Sequence, residues 1–243
     1  MIVVSMTSWT KRIIYVKQVV ESIMNNTVKP DRVYLNLSKT EFNDIELPKD
    51  LVDYFNSDKR LIINWIDGPN VKSMKKIFPI LKYLNDDDII IDADDDIIFP
   101  KDLIESRLKD FEKYNKEFSI SSNTHTSVGF GGKMRVVSAM SLFQKKMLKN
   151  WNEFLTQKII ETSNDDRTYL HLLWLNGYYN KGCSKWTVQE LLQKYDMRLD
   201  SSISKTNFKS GRAYDIIAYR EFYEPREREI NNSFGILRYY GRC

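Results

Sequence analysis

The sequence predicts an α/β fold: a mostly parallel central sheet with helices on both faces. Three observations carry this. Short, β-branched apolar runs alternate with stretches whose apolar residues recur at helical spacing, and the alternation repeats through four strands, the pattern of βαβ units. The run Ile89, Ile90, Ile91 is continuously apolar rather than alternating, as in a strand covered on both faces. The chain is 243 residues long, enough to bury a full core in one domain.

The elements follow in order. Ile2 to Met6 (IVVSM) is the first strand, and Thr7 to Arg12 (TSWTKR) is a polar loop. Ile13, Val16, Val20 and Ile23 mark an amphipathic helix from Ile13 to Met24, ended by Asn25, Asn26 and Pro30. Val33 to Leu37 is the second strand, Leu47 to Phe55 a short helix and Leu61 to Ile66 the third strand, closed by an Asp67-Gly68-Pro69-Asn70 turn. Met74, Ile77, Phe78, Leu81 and Leu84 predict the next helix. Ile89 to Ile91 is the fourth strand, and Pro100 is placed as a first-turn proline of the helix that follows, over Leu103 to Tyr114. Phe118 to Ser121 is a candidate strand. The cluster Gly129-Phe130-Gly131-Gly132 marks a mobile loop, and Lys145 to Leu155 is helical. Asp165 to Asn176 is a helix with Leu170, Leu173 and Trp174 on one face and Gly177 at its C-cap. Past Tyr178 the pattern weakens. No repeat or linker divides the chain.

Composition narrows the function classes. Nine glycines and six prolines exclude fibrous and low-complexity classes, and 14 Tyr, 12 Phe and 5 Trp suit a packed core. A net charge of +4 fits anionic ligands or an anionic membrane surface and makes no demand for nucleic acid. Cys183 and Cys243 provide no disulfide framework, and His125 and His171 cannot build a multi-histidine zinc site. With no signal-peptide pattern, a cytoplasmic chain is expected.

The organising stretch is Asn85 to Pro100, NDDDIIIDADDDIIFP. Asp86, Asp87 and Asp88 read as a solvated turn. Asp92, Asp94, Asp95 and Asp96 differ, because apolar runs clamp them on both sides. Acids at the carboxyl end of a buried strand sit where open α/β sheets bind ligands. So many like charges call for a cation among them, and a divalent metal carrying a phosphorylated ligand is the economical reading. An EF-hand is excluded: counted from Asp92, loop position six is Ile97 rather than Gly, and position twelve is Leu103 rather than Glu.

A strand ending in Asp94-Asp95-Asp96, with apolar residues before it and IIFP after, resembles the DxD signature of GT-A glycosyltransferases, which use nucleotide-diphosphate sugars. The opening VVSMTSWTKRI resembles the VSxTSxxxRI start of bacterial capsule and lipopolysaccharide sugar transferases, where the first loop lies against the nucleotide. The resemblance covers roughly Met1 to Trp174. It implies a Rossmann-like GT-A domain over 1–243, with a nucleotide-sugar-binding half at 1–115 and an acceptor-binding half at 116–243. It implies a metal-dependent, inverting transfer from a nucleotide-sugar donor, expected to be a UDP-sugar, to a cell-surface glycan or lipid-linked acceptor.

Residue by residue, the first loop offers the Thr7 and Ser8 hydroxyls, the Trp9 face and the Lys11 and Arg12 charges; Thr7, Trp9 and Arg12 are the donor-binding candidates. It has no G-x-G-x-x-G, so a classical dinucleotide site is not expected. In the resembling family a Lys-rich helix start after strand three lines the nucleotide pocket, which makes Lys75 or Lys76 the candidate for base or phosphate contact. Asp96 is the expected direct ligand of Mn²⁺ or Mg²⁺. Asp94 is a ribose partner or lies behind the metal ligands, and Asp95 contributes to the donor site. No histidine follows His171 to serve as a late metal ligand, so water and diphosphate oxygens would complete the shell. Asp165 and Asp166 open a helix about 70 residues after the DxD, where inverting relatives carry an acidic pair. With Asn164 as cap, Asp166 is expected to point inward as the general base, with Asp165 capping or turned outward. The tail from Lys205 to Cys243 is basic and aromatic, a candidate for peripheral contact with the inner face of the cytoplasmic membrane.

Three other classes share parts of the pattern. Nucleotidyltransferases share the sheet architecture but want a Gly-rich first loop, which TSWTKR is not. A haloacid-dehalogenase-type phosphatase also places D-x-D after an apolar strand, but it wants Thr or Val where Ile98 stands and sets that strand near the N-terminus. A non-catalytic sugar- or metal-binding module would not need Asp165 and Asp166.

Overall fold

The computed structural model describes residues 1–122, 126–129, 132–135, 140–155, 160, 165–195 and 197. Seven strands form one sheet in the order β3-β2-β1-β4-β8-β5-β9. They are β1 (Ile2–Thr7), β2 (Arg32–Ser38), β3 (Leu61–Ile66), β4 (Ile89–Ala93), β5 (Phe118–Ser121), β8 (Leu142–Gln144) and β9 (Tyr179–Gly182). Strands β3, β2, β1 and β4 are mutually parallel. β8 runs antiparallel to both β4 and β5, while β9 is parallel to β5. The sheet is therefore mostly parallel, with one reversed strand. A separate hairpin pairs β6 (Thr126–Gly129) with β7 (Gly132–Arg135). The glycine cluster expected to mark a mobile loop thus supplies one residue to each hairpin strand.

The core follows the apolar runs. Val3, Val4 and Met6 of β1, Val33 and Leu35 of β2, and Ile90 and Ile91 of β4 are all fully buried. Helix α1 (Val16–Met24) covers the sheet with Val16, Val19, Val20 and Ile23 and is entered through a 3₁₀ turn at Ile13–Tyr15. α2 spans Lys49–Ser57 and buries Leu51 and Phe55. α3 spans Leu103–Lys113 with Asp102 at its N-cap position, so Pro100 lies outside the helix it was expected to open.

Two expected helices have a different form. The segment from Met74 to Leu84 is not α-helical; it forms 3₁₀ turns at Lys72–Lys76 and Phe78–Tyr83. Pro79 has no N–H for an intrahelical bond, and Lys72 has a φ of 53°, outside helical space. The apolar spacing was real, since Met74, Ile77, Phe78 and Leu81 are buried, but a tighter backbone presents it. Lys145 to Leu155 likewise divides into a 3₁₀ turn (Lys145–Leu148) and a single-turn α4 (Trp151–Phe154), separated by left-handed Asn150.

Helix α5 (Asp165–Leu175) ends at Gly177, whose φ of 77° is the left-handed form expected at that position. Beyond it lie β9 and α6 (Val188–Lys194), where the sequence pattern seemed too weak to read. α6 opens with a capping box: Thr187 Oγ1 accepts from the Glu190 N–H, and the Thr187 N–H donates to Glu190. The Asn164 cap, the His171 side chain and the tail from Lys205 lie outside the described residues. No described helix is long and apolar enough to cross a membrane.

Candidate functional site

Parallel β1, β2, β3 and β4 bring their carboxyl ends to one rim of the sheet. The loop after β1 and the aspartates after β4 therefore meet there, because these two strands are direct neighbours. Strand alternation puts Ile90 and Asp92 on one face, with Asp94 continuing it. Asp92 is fully buried; Asp95 and Asp96 are buried, and Asp94 is partly exposed.

Two chain cations hold these carboxylates. Arg12 spans Asp95 and Asp96, with nitrogens 2.5 Å from each, and Ser8 Oγ donates to Asp95 at 2.6 Å. Burial pushes the Asp95 carboxyl up, against the opposing pull of Arg12 and Ser8. Lys76 reaches the other carboxylates. Its Nζ lies 2.6 Å from Asp94, 2.9 Å from Asp165 and 3.9 Å from Asp92. Burial opposes the ammonium's charge, but Asp165, then Asp94 and Asp92, outweigh it and hold its pKa well above the usual lysine value.

The Lys76 backbone is fixed as firmly as its side chain. Its carbonyl accepts from Ser5 Oγ at 2.5 Å and from Asn36 Nδ2 at 3.3 Å. Asn36 also donates to Ser5 Oγ and the Met6 carbonyl, and accepts from Asn64 Nδ2. A polar chain thus runs across β3, β2 and β1 to the base of Lys76. Sequence reading passed over Ser5, Asn36 and Asn64. The signal available was their polarity inside otherwise apolar strands.

The sequence places Asp92 in the acidic run and assigns it no role of its own. Its carboxylate accepts from the Ser141 N–H, fixing the entry to β8. Burial raises its pKa to about 8, moderated by Lys76. Asp165 and Asp166 reverse their expected orientations: Asp165 is buried on Lys76, while Asp166 is the more exposed. The prediction took Leu170 and Leu173 as the buried face. In fact Asp165, Thr168, Tyr169, Leu170, Leu172 and Leu173 are all buried, so the buried face of α5 is broader than Leu170 and Leu173 alone define and takes in Asp165. Enclosure by the protein, then the Asp165 charge, raises the Asp166 pKa well above the usual carboxylate value. The Tyr169 hydroxyl is buried beside this cluster without a hydrogen-bond partner among the described residues.

The remaining candidates are placed as follows. Thr7 Oγ1 donates to the Asn36 carbonyl at 2.8 Å. Lys11 Nζ lies 5.4 Å from the Trp9 ring centre, and Trp9 Nε1 is buried without a partner among the described residues. Lys75 points away from the aspartates and pairs with Glu41 and Asn70. Across the rim, the buried Arg107 guanidinium donates to Ser122 Oγ and to the carbonyls of Met140, Lys185 and Trp186.

Among the described residues, no group of three or more His, Cys, Asp or Glu side chains is arranged to hold a metal ion by itself. The donor set nevertheless suits a cation shared with a ligand. Asp92, Asp94, Asp95, Asp96, Asp165 and Asp166 gather here around Arg12 and Lys76 among the described residues, and burial first, with neighbouring carboxylates adding to it, raises the Asp92, Asp95 and Asp166 pKa values. Oxygen donors of this kind suit Mg²⁺ or Mn²⁺ once diphosphate oxygens complete the shell.

No protein-family model and no curated protein matches the sequence. Solved structures do resemble the fold. Residues 1-349 of Staphylococcus aureus TarS in complex with UDP superpose with a TM-score of 0.54 at 12% identity, covering 76% of this chain and 58% of that one. The same protein in complex with UDP-GlcNAc gives 0.57 at 13%, covering 96% and 71%. Francisella tularensis 2-C-methyl-D-erythritol 4-phosphate cytidylyltransferase (IspD) gives 0.51 at 9%, covering 85% and 98%. The chain thus spans 58% of the UDP-bound TarS chain. At these identities the likeness establishes a shared α/β fold.

Proposed function

We propose that this chain is an inverting glycosyltransferase that moves a sugar from a nucleotide-diphosphate donor, a UDP-sugar, to a hydroxyl of a cell-surface glycan or lipid-linked acceptor. The observation that carries the reading is the meeting of the Asp94–Asp96 run with the Asp165–Asp166 helix start across Lys76. The likeness to a protein captured with UDP and with UDP-GlcNAc supports the choice of donor.

The β1 loop, with Thr7, Trp9 and Arg12, receives the nucleotide, and residues 1–115 form the donor half. Asp94 and Asp96 would hold the divalent cation against the diphosphate. When bound, that ion neutralises charge developing on the leaving group. The acceptor, held by residues from 116 onward, presents its hydroxyl to Asp166. The oxygen attacks the anomeric carbon opposite the diphosphate, the C–O bond to the diphosphate breaks, and UDP leaves with the bonding electrons. The hydroxyl proton passes to the Asp166 carboxylate, and because the attack comes from the face opposite the diphosphate, configuration inverts. Asp165 is committed to Lys76, which leaves Asp166 as the base.

Incubating the protein with UDP-GlcNAc and other UDP-sugars in Mn²⁺, while following UDP release, tests the reading. UDP release with an inverted glycosidic product is expected. Orthophosphate release from simple phosphomonoesters would favour the phosphatase reading, and pyrophosphate release from a nucleoside triphosphate a nucleotidyltransferase. Donor binding without turnover would favour a binding module.

A further inference from the structure

We propose that Lys76 is a positioning residue that divides the roles of the acidic pair: by engaging Asp165 it sets Asp166 toward the acceptor and fixes the base-bearing helix to the donor-facing strand. The inference rests on the glycosyl-transfer reading and extends it to a residue in neither acidic motif.

The geometry is specific. The Lys76 ammonium joins the end of β4, through Asp94 at 2.6 Å, to the first residue of α5, through Asp165 at 2.9 Å. Asp92 at 3.9 Å lies near a third direction, and an ammonium has three protons to direct and no acceptor. The side chain is only 9% exposed, so it is not a solvated basic face. A buried cation persists where it is paired, and here its partners come from two elements far apart in sequence. Its own main chain is anchored by Ser5 and Asn36, so the ammonium works from a fixed base.

Two consequences follow. Adjacent carboxylates at a helix start repel, and Lys76 offsets the charge of one of them. Successive helix residues also project about 100° apart, so seating Asp165 on Lys76 turns Asp166 away from that ammonium, to a place where it is part-exposed while Asp165 is buried. Misplacing a catalytic group by about 1 Å costs roughly a hundredfold in rate, so a residue touching no reacting atom can still govern turnover. Lys75 is also buried, but it faces Glu41 and Asn70 and cannot substitute.

The test compares wild type with Lys76→Met, Lys76→Arg, Asp165→Asn and the Lys76→Met/Asp165→Asn double variant. UDP release from UDP-GlcNAc gives kcat and KM, and thermal melting gives stability. Lys76→Met is expected to lower kcat about a hundredfold with KM for the donor nearly unchanged. Lys76→Arg should restore part of the loss. The double variant should turn over faster than Lys76→Met alone, because it no longer carries a stranded Asp165 charge. A raised KM with intact kcat would overturn the proposal and make Lys76 a donor ligand. Independent, multiplicative effects of the two substitutions would overturn it as well. If the wild type releases no UDP from any donor, the glycosyl-transfer reading fails on its own. The melting cycle then still decides the ion pair: non-additive shifts support the Lys76–Asp165 coupling, and additive shifts refute it.

Discussion

Asp92→Asn should make the protein less sensitive to rising pH. Asp92 is fully buried, and its carboxyl titrates at about 8 in the fold against an ordinary 3.8. Between those values the folded chain keeps a proton that the unfolded chain has released. The stability from this group is fully present below the unfolded value and is lost as pH rises through the folded one. Each pH unit in that window is worth at most about 1.4 kcal/mol, so moving from pH 5.5 to pH 7.5 costs wild type up to about 3 kcal/mol at this site. Asparagine mimics the protonated carboxyl and keeps an oxygen for the Ser141 N–H. Its melting temperature should therefore gain on wild type by up to about 6–12 °C over the same interval, at roughly 2–4 °C per kcal/mol for a chain of this size. Paired melting curves in matched buffers from pH 5 to pH 8.5 provide the assay. A wild-type-minus-variant difference that stays flat across this range would show that Asp92 is ionised throughout and refute the reasoning.

Three other outcomes are expected. Asp166→Asn should lower kcat by about 10²–10⁴ while calorimetric affinity for the donor stays near wild type; if Asp166→Asn turns over normally and Asp165→Asn is dead, the pair has been assigned in reverse. Arg12→Ala strands the buried Asp95 beside Asp96 and should cost about 3 kcal/mol in urea unfolding, somewhat less if water enters the space the side chain vacates. Excess EDTA should abolish UDP release and added Mn²⁺ should restore it, whereas full activity in EDTA would remove the metal from the mechanism.

Much of the architecture was legible because its causes are local. The apolar runs at Ile2–Met6, Leu61–Ile66 and Phe118–Ser121 carry strand signals in their own residues, and they lie in β1, β3 and β5, although β3 is only partly buried. The segment from Lys72 to Tyr83 misled because its apolar residues keep a helical spacing, while Pro79 and the positive φ at Lys72 favour two shorter turns. α6 was legible in principle, since Thr187 and Glu190 carry the capping-box spacing. Reversed β8 was not, because three residues cannot declare their direction; pairing with β4 and β5 decides it. At the site, the acids could be listed from sequence, but their partners could not. Lys76 reaches Asp94 and Asp165 only because distant segments converge on one rim, and the phase of α5 was hidden because its buried face is broader than Leu170 and Leu173 and includes Asp165.

The reversed strand and the buried Arg107 together make this rim a point of departure and return. β5 delivers the chain there at Ser122, β8 begins there after Met140, and β9 arrives there before Lys185; one guanidinium ties all three places. Whatever length of chain separates Ser122 from Met140 begins and ends beside the aspartates. Inserted or deleted residues in that interval would alter the β6–β7 hairpin but leave every register of the seven-stranded sheet untouched, and doubling its length would add only about 0.6 kcal/mol of closure entropy. The scaffold can therefore be regrafted beside its chemistry without being refolded.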